Sequence, residues 1–177
     1  MSAETRNVKM KRFLWLVLFA GVIALFLRTF AFEGIYIASD SMLPTLQIND
    51  HFFVDKITYN FRQPQKGEII VFKSPVTDEK DLVKRIIADG GETVKIENKN
   101  VFLNGQKLDE PYTRYTRPDE ILKGDKITDL KIPENCFFVL GDNRDESNDS
   151  RDWLDPKTGE HIYFIHKDFI KGKIIKF

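Results

Sequence analysis

Ser39 and Ser41 stand two residues apart in the run Ile35-Tyr36-Ile37-Ala38-Ser39-Asp40-Ser41-Met42-Leu43-Pro44-Thr45-Leu46. In an extended or turning backbone, residues i and i+2 point to the same side, so the two hydroxyls can face one target. Pro44 keeps the segment out of a helix. The chemistry this offers is a nucleophile with a second donor beside it. An ordinary polar turn uses the same residue types, so the pair needs a partner elsewhere in the chain. Lys84 is the candidate. In Leu82–Ala88, read as a strand, it shares a face with Leu82 and Ile86, while Arg85 falls on the other face with Val83 and Ile87. Aliphatic flanks desolvate an ammonium and lower its pKa, which a lysine needs if it is to accept a proton near neutral pH. The competing reading is a lysine guarding a strand edge. His51, His161 and His166 fall in no serine-containing motif and there is no G-x-S-x-G elbow, so a serine activated by lysine is the economical pair.

A third cluster is Gly141-Asp142-Asn143-Arg144-Asp145-Glu146-Ser147-Asn148-Asp149-Ser150-Arg151. A calcium loop fails for want of a glycine at the sixth position and because Arg144 interrupts the ligands. The glycosylation pattern Asn148-Asp149-Ser150 carries little weight. A loop with alternating carboxylates and guanidiniums can instead lock itself by ion pairs and leave Ser147 as an oriented hydroxyl for a neighbouring amine.

The elements that must position these groups follow from composition and pattern. With 177 residues there is room for one domain of moderate size and an appendage. The 27 basic and 27 acidic residues cancel, so nothing global draws the chain to nucleic acid. The single cysteine, Cys136, excludes an internal disulfide and a multi-cysteine zinc site, and its apolar run marks it as a buried small hydrophobe. Met1–Arg12 is basic, and Phe13–Leu27 carries no charge. With Arg28 snorkelling and Thr29–Phe32 resuming the apolar character, 13–32 reads as an uncleaved single-pass membrane anchor. The positive-inside rule leaves 1–12 as a cytoplasmic tail and 33–177 outside. A cleavable signal lacks its small-x-small site, and a core helix lacks its polar face.

Beyond the anchor the pattern changes to short alternating runs. Strands are expected at His51–Tyr59, Glu68–Lys73, Leu82–Ala88, Cys136–Leu140 and Lys173–Phe177. A hairpin Thr93–Ile96 with Val101–Leu103 turns at Glu97–Asn100, and Asn104-Gly105 makes a second tight turn. Residues 109–132 read as a polar loop, within a small excursion over 92–133. The fold class is mainly β, a compact antiparallel sheet or barrel-like domain hung on one N-terminal transmembrane helix.

Taken together the three clusters resemble the bacterial type I signal peptidases, membrane-bound Ser/Lys proteases. The motif S-x-S-M-x-P-T stands at Ser39–Thr45, K-R at Lys84-Arg85, and G-D-N-R-D-x-S-x-D-S-R at Gly141–Arg151. Supporting segments occur at Gly67–Phe72 and Asn104–Tyr112. The resemblance implies Ser41 as nucleophile and Lys84 as general base. It implies an oxyanion hole from the Ser41 N–H and the Ser39 hydroxyl, with Ser147 orienting the lysine. Arg85, Asp142, Asp149 and Arg151 become structural ion-pair partners, and Ile35, Ile37, Met42, Leu82 and Val83 line pockets for small side chains.

The implied activity is removal of N-terminal signal peptides after an Ala-x-Ala-like site, without metal or organic cofactor. It would act at the outer face of the cell membrane, with preproteins and phospholipid as partners and no nucleic acid. Two departures stand out: Asp89-Gly90 replaces the usual apolar residue and proline, and Leu154–His161 is extra sequence after Trp153. Two rivals remain at this level, a specialised Ser/Lys processing protease with few substrates and a non-catalytic anchored β-domain that binds exported proteins.

Overall fold

The computed structural model describes residues 3–77 and 80–175. An N-terminal helix, α1 (Ala3–Phe30), leads into eleven strands: β1 (Phe32–Tyr36), β2 (His51–Asp55), β3 (Ile69–Lys73), β4 (Asp81–Ala88), β5 (Thr93–Glu97), β6 (Asn100–Leu103), β7 (Gln106–Lys107), β8 (Lys126–Lys131), β9 (Cys136–Leu140), β10 (Ile165–His166) and β11 (Ile170–Ile175). They form a seven-stranded sheet in the order β1-β2-β11-β3-β4-β9-β10 and a four-stranded sheet in the order β7-β6-β5-β8. Every strand pair is antiparallel. The chain is mainly β, as its composition implies.

α1 departs from expectation. It ends at Phe30, Ala31 is a buried turn residue, and Phe32 already pairs with Asp55 in β1, so the apolar stretch expected to reach residue 32 gives its last two residues to the domain. Among the described residues no helix is long and apolar enough to cross a membrane. The side chains described along α1 stop at Leu25, and those of 26–30, Arg28 included, lie outside the description. From Phe13 to Leu25 the helix exposes its large apolar side chains all round.

The strands form where apolar residues alternate, and their ends have local causes. β2 stops at Asp55, four residues short of the expected limit, because the Asp55 carboxylate accepts the N–H groups of Ile57 and Thr58 at 2.9 Å and turns the chain. The β5–β6 turn places both Asn98 and Lys99 at positive φ, 48° and 66°, the geometry of a two-residue hairpin turn. Asn104-Gly105 repeats it at 50° and 80°. β8 lies inside the segment expected to be loop. Its two apolar positions, Ile127 and Leu130, are three apart because the register with β5 shifts between Val94 and Ile96, and that irregularity hides the period of two.

β4 and β9 carry the core on both faces. Ile86, Phe137 and Val139 pack with Ile70, Phe72, Trp153 and Ile165 on one side. Ile87, Ala88, Phe138 and Leu140 pack on the other against Val94, Ile96, Val101 and Ile127 of the small sheet. Cys136, expected to be buried, is half-buried at the margin of this second cluster, and burial pushes its thiol pKa up. A third cluster of Ile37, Met42 and Leu46 lies under the serine segment and takes in Ile35 and Val83 at its edge.

Candidate active site

The serine segment is a compact turn pinned at both ends. Ile37 N–H donates to Asp50 O at 3.0 Å and Asn49 N–H donates back to Ile37 O at 2.9 Å. Leu43 N–H closes on Asp40 O and Leu46 N–H on Met42 O. Leu43-Pro44 is cis. Buried Met42 and Leu46 hold the turn down, which fixes Ser41 at its start. Ser39 Oγ lies 3.2 Å from Ser41 Oγ, so the two hydroxyls do share a side.

β4 delivers the lysine. Lys84 pairs across β3 with Ile70, and its side chain is only 4% exposed. Its Nζ lies 2.8 Å from Ser41 Oγ, a contact between residues 43 apart in sequence. Burial lowers the Lys84 pKa to about 8, with Asp149 pulling it up and Arg151 pushing it down. At that value roughly a tenth of the amine is uncharged at pH 7, against about a few in ten thousand for an ordinary lysine, and in that form the Ser41 O–H can donate to the Nζ lone pair.

The loop 141–151 closes over the pair. Asn143 N–H donates to Ser41 O at 3.0 Å and its amide Nδ2 to Asp40 O at 3.1 Å. Arg85 Nε and Nη2 reach Asp142 Oδ1 and Oδ2 at 2.8 and 2.6 Å, and its Nη1 donates to Gly67 O. Arg151 Nε and Nη2 bind Asp149 Oδ1 and Oδ2 at 2.8 and 3.0 Å. Complete burial would raise the Asp149 carboxyl, but Arg151 and the Gly141 N–H outweigh it and hold the pKa below the usual range. Ser147 Oγ is buried, with no partner at hydrogen-bonding geometry among the described residues.

Gly141 brings these groups together. A Cβ there would sit 2.2 Å from Ser147 Oγ and 2.5 Å from Ser41 O, closer than any carbon can approach. Gly141→Ala therefore drives the nucleophile turn and the 147 segment apart. It is expected to cost about 1–3 kcal/mol of stability, read by urea unfolding, and to remove most of the activity. An alanine variant with parental activity and stability would contradict this packing.

A cavity of about 360 Å³ opens beside Ser41 and Lys84, lined by Ile37, Met42, Leu82 and Val83 together with Tyr36, Ala38, Ser39, Lys80 and Asp81. Ile35, expected in this lining, is absent from it; its side chain packs against the Ile37–Met42–Leu46 cluster, where β1 pairs it with Phe52. Sequence reasoning also missed Glu110, whose buried carboxylate takes Arg144 Nη1 and Nη2 at 3.0 and 2.6 Å. Both residues stood in quoted motifs, but no spacing rule joins positions 34 apart.

The family described as signal peptidase, peptidase S26, matches residues 10–176. The chain belongs to that family, whose members are serine endopeptidases. Signal peptidase I of Leptolyngbya laminosa is 43% identical over 140 residues, 75% of this chain and 66% of the relative. Signal peptidase I of Bacillus licheniformis is 35% identical over 183 residues, covering 95% of this chain and 97% of the relative. The chain thus spans about two thirds of the length of the cyanobacterial relative and nearly all of the Bacillus one. A crystal structure of a signal peptidase I from Enterococcus faecalis V583 is 28% identical, with a TM-score of 0.48 over 65% of this chain and 98% of that one.

Proposed function

We propose that the protein is a membrane-bound endopeptidase that removes signal peptides from exported preproteins, with Ser41 as nucleophile and Lys84 as general base. The observation that carries this reading is the 2.8 Å contact between Lys84 Nζ and Ser41 Oγ in a buried setting. In the first half-reaction the uncharged Lys84 amine takes the Ser41 proton as Oγ attacks the scissile carbonyl. The Ser41 N–H and the Ser39 hydroxyl stabilise the oxyanion. The intermediate collapses, Lys84 returns the proton to the departing amine of the mature protein, and the signal peptide remains esterified to Ser41. In the second, Lys84 deprotonates water, which attacks the ester, and the proton returns to Ser41. Ser147 Oγ, buried and with no hydrogen-bond partner among the described residues, is the hydroxyl assigned to orient the amine. The Arg85–Asp142 and Arg151–Asp149 pairs hold the loop that carries Ser147.

The apolar part of the cavity suits small aliphatic side chains, in keeping with an Ala-x-Ala-like site. The large apolar side chains exposed all round α1 from Phe13 to Leu25, continued by exposed Phe32, Tyr36 and Phe53, suit attachment to a lipid surface that keeps the site beside the membrane, with the basic N-terminus on the cytoplasmic side and the domain outside. The reaction draws on the chain's own residues and on no cofactor. The experiment is to incubate the protein with a preprotein in phospholipid vesicles and map the products by mass. A single cut after a small residue at the end of the signal peptide, lost in Ser41→Ala, is expected. Cleavage retained by Ser41→Ala, or cuts scattered along the mature region, would overturn the proposal.

A further inference from the structure

Lys99 occupies a hairpin turn, where a lysine normally points into water. Here its side chain is only 9% exposed and is directed inward, away from the β5–β6 turn. Its Nζ donates to Asp145 Oδ1 at 2.5 Å and to Arg117 O at 2.7 Å, and lies 3.6 Å from Asp125 Oδ2. Both carboxylates are buried, and both lead to the catalytic loop. Asp145 belongs to that loop. Asp125 Oδ1 makes no hydrogen bond among the described residues and lies 3.6 Å from Arg151 Nη1. A Cβ on neighbouring Gly124 would fall 2.6 Å from Arg151 Cβ, so backbone and charge are both pressed against the arginine.

Resting on the Ser41/Lys84 reading, we propose that Lys99 is a positioning residue: its ammonium balances Asp125 and so leaves Arg151 paired with Asp149 beside the catalytic lysine. Arg151 has two carboxylates within reach, Asp149 at 2.8 Å and Asp125 at 3.6 Å. With Lys99 present, Asp125 has a second cation. Without it Arg151 is the nearest positive charge to a buried carboxylate, and a buried carboxylate is costly to leave unpaired. Arg151 then moves toward Asp125 and away from Asp149. Asp149 raises the Lys84 pKa and Arg151 lowers it, so both consequences favour the ammonium and take free base away from the reaction at neutral pH. The small sheet thereby tunes the site from a distance, through one charge.

The test is the pH dependence of kcat/KM for Lys99→Gln, which keeps a donor for Arg117 O but removes the charge, measured on a preprotein substrate in vesicles. The acid limb is expected to move upward by about half a pH unit, a roughly threefold loss at pH 7 that disappears above the limb. Lys99→Arg, which keeps the charge, returns the limb to its original position. So does the double variant Lys99→Gln/Asp125→Asn, in which Asp149 has no competitor for Arg151. A folded Lys99→Gln whose rate falls equally at every pH, or not at all, overturns the proposal. Where Lys99→Gln does not fold, the double variant decides: a limb at the wild-type position supports the proposal and a raised one overturns it. A wild-type profile with no acid limb overturns the Ser41/Lys84 reading as well, whereas a wild-type limb near 8 that Lys99→Gln leaves unmoved overturns this proposal alone.

Discussion

Lys84→Met is expected to cleave no preprotein at a measurable rate and yet to be harder to unfold at pH 7 than the parent. The two halves have one cause. Lys84 is buried, and its pKa falls from 10.5 to about 8 because burial disfavours the ammonium. Between those values the unfolded chain binds more protons than the folded one, so folding stability rises with pH across that window. Below it the folded protein carries a poorly solvated charge at full cost. The difference between 10.5 and about 8 corresponds to roughly 3 kcal/mol. Losing the hydrogen bond to Ser41 takes back about 1 kcal/mol, which leaves a gain of about 2 kcal/mol for a methionine of similar length. Removing the base that contacts Ser41 Oγ should lower kcat/KM by about 10³-fold or more. Urea unfolding at pH 7 and at pH 11 checks the sign, because the gain should shrink once the lysine is neutral in both states. A methionine variant that is inactive but less stable at pH 7 would mean that Lys84 serves packing and not proton transfer.

Breaking the Arg144–Glu110 pair is expected to have the largest effect on stability. Arg144 is 2% exposed and Glu110 8%, and the two groups meet through a pair of hydrogen bonds at 3.0 and 2.6 Å. Burial opposes the Arg144 charge, but the Glu110 carboxylate more than compensates and raises its pKa above the ordinary value. Arg144 Nε donates as well to Gly141 O, so the pair spans from the segment before Pro111 to the start of the catalytic loop. Glu110→Leu leaves a guanidinium buried without its counter-charge and should cost about 3–5 kcal/mol; Arg144→Met strands the carboxylate in the same way. The double variant Glu110→Leu/Arg144→Met removes both charges together and should recover a large part of the loss. Chemical unfolding of all four proteins gives the coupling directly. Additive losses would show that the two side chains do not act as a pair.

Much of this architecture could be read along the chain. The strands β3, β4 and β9 announce themselves by apolar runs bounded by proline or glycine, and the two tight hairpin turns by Asn-Lys and Asn-Gly. Ser39, Ser41 and Lys84 could be named because their chemistry narrows the choice: few residue types form a nucleophile and base without histidine. What escaped notice has physical reasons. β8 alternates irregularly because a shift of register places Ile127 and Leu130 three apart. The end of β2 depends on one carboxylate accepting the amides of Ile57 and Thr58, two and three residues on, which no periodicity reports. Ile35 has the same chemistry as Ile37 and differs only in what lies over it. Glu110 and Lys99 act across 34 and 46 residues of sequence, on Arg144 and Asp145, and such partners emerge only when the small sheet docks on the loop.

Proton transfer from Ser41 needs a Lys84 whose pKa lies low enough for a working fraction of free amine near neutral pH. The most direct measurement is a titration of the Lys84 Nζ by nitrogen-15 NMR in the intact protein, its signal assigned by its disappearance in Lys84→Met. A midpoint near 8 is predicted, well below the midpoints of the surface lysines. A Lys84 signal that stays protonated to pH 10 and above would contradict the account, because such a lysine could not take the proton from Ser41.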